Sequence, residues 1–183
     1  MLSQEKFISG MEILKAGYIG WEFDTKNEIQ VKVWYAALKG LSDEQFKDMI
    51  TEYYAHNQFP PKCARDLTTV LVDKVVTNAK IKPENALNTV REIVSNCGGW
   101  QYEGREEIYA ELKKNPVLFE TVRDFEAELK ELRVGDTYTA DRFRKAYEIN
   151  LRAKAIRQVD TALGLNIPDN SKLLGSGFLP SET

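Results

Sequence analysis

The 183-residue sequence predicts an all-α fold, on three observations. Apolar side chains recur at spacings of three and four through nearly every segment, and alternation with a period of two is hard to find. The apolar content of 43 % is sufficient for a buried core in a chain of this length. The expected arrangement is two small helical bundles, residues 1–80 and 84–163, or one extended bundle, followed by a mobile C-terminal tail over 164–183.

The elements follow in chain order. Phe7, Met11, Leu14 and Tyr18 mark a first helix, closed by "AGYIG", where glycine can take the positive φ that ends helices. Val33, Ala37 and Leu41, with Trp34 and Leu38 beside them, predict a second. Ser42 with Gln45 forms a capping box for a third, whose stripe is Phe46, Met49, Ile50, Tyr53 and Tyr54. "FPP" stops it, because proline lacks the amide donor and pushes its predecessor out of helical geometry. The stretch "CARDLTTVLVDKVVTN" is rich in β-branched residues, but with no second strand to pair with it is read as helix. Pro83 then stands at a first helical position, before the apolar face of Ala86, Val90 and Ile93, and "CGGW" ends that run. A short helix carries Ile108 and Leu112. Asn115 caps the next, with Pro116 as its first residue and Leu118, Val122, Phe125, Leu129 and Leu132 as one continuous stripe. After "RVGDTYT", Thr139 is placed to cap a last long helix with the ladder Phe143, Tyr147 and Leu151.

Composition excludes several function classes. The net charge of −3 is wrong for a protein that wraps nucleic acid by bulk electrostatics. No apolar run approaches the roughly 20 residues that cross a bilayer, and the N-terminal "MLSQEKFISGMEIL" is charged where a signal peptide is apolar, so a cytoplasmic address and no membrane partner are expected. Cys63 and Cys97 have no neighbours at metal spacing and are expected as free thiols. There is no G-x-x-x-x-G-K-[ST] loop, no H-E-x-x-H and no C-x-x-C, so no cofactor, no metal and no enzymatic activity are expected.

What remains is a short set of candidates. His56 near Cys63 could supply a nucleophile and its base, but nothing supplies the orienting third group or an oxyanion hole. The alternative is that "TEYYAHNQFPPKCARDL" is a helix corner, with His56 in a last turn where an imidazolium suits the negative end of the helix. Acidic runs such as "REEIYAE" read as solvated helix faces, and Trp21, Trp34, Trp100, Tyr53 and Tyr54 as core aromatics. Residues 103–131 hold nine acidic and five basic side chains, whereas residues 142–157 hold six basic ones and only Glu148. Arg142, Arg144, Lys145, Arg152, Lys154 and Arg157 are therefore candidate DNA contacts, although they fall all around the helix and some must pair with the acidic helices. In the tail, Leu173, Leu174, Phe178 and Leu179 are candidate partner-binding residues, since a mobile apolar segment can fold onto a partner.

The order of Trp34, Tyr35 and Leu38, then Leu41, Asp43 and Phe46, then Phe59, Pro60, Pro61, Ala64 and Leu67 resembles the N-terminal domain of phage replicative-helicase loader/inhibitor proteins over about the first 80 residues. The second lobe is similar to a segment that follows this domain in related phage proteins, through Arg142, Phe143, Ala146, Tyr147 and Glu148. The resemblance implies a phage DNA-replication adaptor. Such a protein binds the hexameric replicative helicase of host or phage, loads or inhibits it without hydrolysing ATP, and delivers it to an origin-binding initiator, with weak or no direct DNA binding. The competing reading is a DNA-binding replication organiser that uses the basic last helix.

Overall fold

The computed structural model describes residues 1–100, 104–132 and 135–165, and within them all regular structure is helical. Helices run α1 Gln4–Gly17, α2 Glu28–Leu38, α3 Asp43–His56, α4 Ala64–Thr77, α5 Pro83–Asn96, α6 Arg105–Lys113, α7 Pro116–Asp124, α8 Glu126–Glu131 and α9 Thr137–Ala162. The stretch "LTTVLV" is helical within α4, as expected where no second strand is available to pair with it.

Most boundaries are set by local chemistry that the sequence displays. Ser42 and Gln45 make the reciprocal capping box of α3, Asn115 accepts from the Leu118 N–H at the start of α7, and Pro83 and Pro116 occupy first-turn positions. At α9 the cap is Asp136 rather than Thr139: its carboxylate accepts the Thr139 N–H at 3.1 Å. The predicted face of α2 is rotated. Val31, Trp34 and Leu38 are buried whereas Val33 is 64 % exposed, because α2 is apolar almost all round and periodicity alone cannot select its inner side. The predicted stripe from Leu118 to Leu132 is divided at Phe125 into α7 and α8. The break sets the Phe125 ring edge-on to Phe143, and Glu126 just beyond it meets Tyr109 and Arg105 of α6.

Two apolar cores result. The first gathers α1 to α4, with Phe7, Met11, Leu14, Leu38, Phe46, Met49 and Leu67 almost fully enclosed. In it α1 and α3 run parallel and approach closely. Ser3 donates through its N–H to Asp43, and a Cβ on Gly10 would come within 2.4 Å of the Phe46 ring. A Cβ on Gly17 would come within 2.3 Å of Tyr54. The second core gathers α5 to α8 around Ile108, Leu112, Leu118 and Val122.

Helix α9 belongs to both. Phe143, Tyr147 and Leu151 lie in the second core, while Ala155, Val159 and Leu163 lie in the first. These six residues are spaced by four. At 3.6 residues per turn each such step rotates the buried face by about 40°, so the five steps from Phe143 to Leu163 carry it about 200° around the axis. The midpoints of the two faces, Tyr147 and Val159, are three such steps apart, so one helix presents sides about 120° apart to the two cores. Ion pairs fasten it antiparallel to α4, Arg65 to Asp160 at 3.5 Å and Arg152 to Asp73 at 2.9 Å, with an eight-residue interval on each helix. The Tyr147 hydroxyl donates to the Ile81 carbonyl at 3.2 Å and so pins the α4–α5 connector, and Asn150 donates to Thr121 of α7 at 3.0 Å.

Candidate partner-binding surfaces

Residues 51–67 form a helix corner. Two tyrosine hydroxyls hold it from inside: Tyr18 donates to the Asn57 carbonyl at 2.8 Å and Tyr53 to that of Phe59 at 3.3 Å. Burial pushes both phenols up, Tyr53 to about 12, so they remain donors throughout the physiological range. Beyond the prolines, the Asp66 carboxylate reaches back to accept the N–H groups of Lys62 and Cys63, which starts α4. His56 stands exposed in the last turn of α3, 3.7 Å from the Glu52 carboxylate. It lines a groove with Glu52, Thr69 and Asp73 in which Cys63 has no part. Among the hydrogen bonds of the described residues none joins His56 to Cys63, and both cysteines are free thiols. Among the described residues no group of three or more His, Cys, Asp or Glu is placed to hold a metal ion, and no helix is long and apolar enough to cross a membrane.

The basic side chains of α9 are largely committed within the chain. Arg142 lies 3.7 Å from Glu128 and over the rings of Phe125 and Tyr138, and Arg144 pairs with Asp141 at 3.2 Å. Arg152 pairs with Asp73. Lys145 and Arg157 are exposed and Lys154 is half-buried. Because the buried face winds around the axis, these cations point to several sides and form no single stripe.

At the end of α9, Gly164 takes φ 70° and donates to the Thr161 carbonyl, and the Leu165 N–H donates to that of Asp160 at 2.9 Å. Leu165 packs against the first core. The tail candidates Leu173, Leu174, Phe178 and Leu179 lie outside the described residues.

Sequence reasoning passed over two apolar surfaces. A cleft of about 570 Å³ between α1 and α3 is walled by Ile13, Phe46, Ile50 and Tyr54, with Gly10 in its floor. On α2, Ile29 and Val33 are 77 % and 64 % exposed one turn apart. The signal for the second was present in "EIQVKVWYAAL", where more apolar residues stand than one face can bury.

Residues 3–65, which span α1 to α3 and the corner into α4, match the family model of the N-terminal domain of gp39, a phage helicase loader/inhibitor. No curated protein matches the chain, and no solved structure does. The match covers about a third of the chain and contains the N-terminal resemblance residues from Trp34 to Ala64, while Leu67, the last of them, lies just beyond it. The N-terminal helices of this protein are similar to the N-terminal domain of the phage helicase loader/inhibitor family.

Proposed function

We propose that this chain is a phage DNA-replication adaptor that binds the hexameric replicative helicase and loads or inhibits it without hydrolysing ATP. The match of residues 3–65 to the loader/inhibitor domain carries this reading. A loader without its own nucleotide chemistry must act through binding differences: it prefers one helicase conformation, shifts the population toward it, and is displaced when another partner, such as an origin-binding initiator, competes. The interlocked helices suit the rigid half of such a device. The segment after Leu165, with Leu173, Leu174, Phe178 and Leu179, is proposed as its adaptable contact.

The test is co-elution of the purified protein with the host replicative helicase on a sizing column, with the full chain and with a chain ending at Leu165. Co-elution of the full chain and its loss on truncation are expected. Unchanged co-elution after truncation removes the tail from the mechanism, and failure of the full chain to co-elute removes the helicase. The DNA-organiser alternative is disfavoured by the carboxylate partners of Arg142, Arg144 and Arg152. It requires duplex affinity that falls steeply as salt rises and weakens when Arg142, Arg144 and Lys145 are neutralised.

A further inference from the structure

Where the two cores meet, two adjoining cavities share Val75, Asn78 and Gln158 and together follow one side of α9 from Tyr147 to Ala162. Their volumes are about 340 and 550 Å³. Lys80, Lys114 and Lys154 line the first and Lys74 the second, and no carboxylate lines either one. That one-sidedness is unexpected by composition, since acidic residues outnumber lysines and arginines in the chain by 28 to 25. Lys114 is neutralised by Glu111 at 2.6 Å. Lys74, Lys80 and Lys154 have no carboxylate partner among the described residues. A concave surface lined by one sign of charge concentrates the field of its lysines and attracts the opposite sign.

The walls of the second cavity are not those of a phosphate track. Leu41, Leu71, Val75, Val159 and Ala162 make an apolar floor. Neither cavity contains an arginine, and the aromatic residue of the first, Tyr147, is buried with its hydroxyl committed to Ile81. Lysines alone can meet phosphates, but single-stranded grooves also offer open aromatic faces on which bases stack, and none lines these walls. An apolar floor with a lysine rim instead matches a helix with aliphatic residues on one side and carboxylates beside them. The stretch of α9 that forms the seam, Tyr147 to Ala162, is about 22 Å long, the rise of about four helical turns.

We propose that this seam between the two cores is a docking groove for an acidic amphipathic segment of a partner protein. It lies outside most of the segment matched to the loader domain and is lined by residues between Leu41 and Ala162, so it is a surface distinct from the proposed tail contact. The proposal rests on the reading of the chain as a protein adaptor, but its test does not require the helicase. The probe is a fluorescein-labelled synthetic helix of about four turns, with leucines at three- and four-residue spacing on one face and glutamates elsewhere. Its anisotropy is measured with the full chain across a salt series.

Binding that falls as salt rises, and that weakens about tenfold in the K80E/K154E variant but not in the K15E/K26E variant, is expected. Should the first variant lose its helical circular dichroism, Lys80→Ala with Lys154→Ala gives the same readout without charge reversal. The proposal is overturned if the peptide binds neither chain, binds both equally, or is ignored while labelled oligothymidine binds through Lys80 and Lys154. A wild-type chain that binds the peptide through these lysines yet ignores the helicase would overturn the helicase reading and leave the groove standing. Helicase co-elution combined with indifference to the peptide would do the reverse.

Discussion

Single atoms decide several of the packing contacts, and Gly40 is the clearest case. A Cβ there would lie 2.6 Å from the Leu163 backbone, which cannot swing aside as a side chain would. Gly40→Ala should therefore lift the end of α9 from the first core at a cost of about 1–3 kcal/mol, read by urea denaturation. An unchanged midpoint would mean that this end of α9 is free to move. Glu126 makes a different kind of prediction. Hydrogen bonds from Lys130 and Tyr109, with Arg105 close by, hold its carboxyl down to about 2 from the ordinary 4.5. Because the folded value is the lower one, the stabilisation is fully present above pH 4.5 and is lost as pH falls toward 2. Glu126→Gln should melt below the parent at pH 6, and the gap should narrow by pH 3. A gap constant with pH would remove the charge of Glu126 from the account.

Among the elements, α9 separates what the sequence displayed from what it concealed. Its ladder Phe143, Tyr147 and Leu151 was legible because large apolar residues at four-residue spacing stand out against charged neighbours. The continuation through Ala155, Val159 and Leu163 was not: Ala155 is small, and the drift of the face takes the stripe out of any fixed helical window. The caps at Ser42 and Asn115 and the first-turn Pro83 were legible because helix starts are local chemistry. The rotated face of α2 and the lysine seam were hidden because tertiary packing, not spacing, chooses which side of an element is covered. The same physics ranks the two ion pairs that fasten α9 to α4. Asp73 and Arg152 are both about half exposed, and a double-mutant cycle should return about 0.2–1 kcal/mol for them. Asp160 is only 10 % exposed, so its removal leaves less to solvent screening, and Asp160→Ala should cost more than Asp73→Ala. The opposite order would show that the far end of α9 contributes little.

For the whole molecule, the shared helix determines whether the two cores unfold separately. Neither core closes without α9, and Val76 of α4 also packs against both. Opening either core strips apolar surface from a helix the other needs. The chain should therefore unfold in one cooperative transition, with a calorimetric enthalpy equal to the van't Hoff value. Leu151→Ala and Val159→Ala place one cavity in each core, the former expected to cost about 2–5 kcal/mol. At this chain length each kcal/mol lowers Tm by about 2–4 °C. Both variants should lower the same single transition. Two resolved endotherms, each shifted by only one of the substitutions, would mean that the halves of α9 melt independently, and the rigid coupling assumed for an adaptor that biases its partner's conformation would go with them.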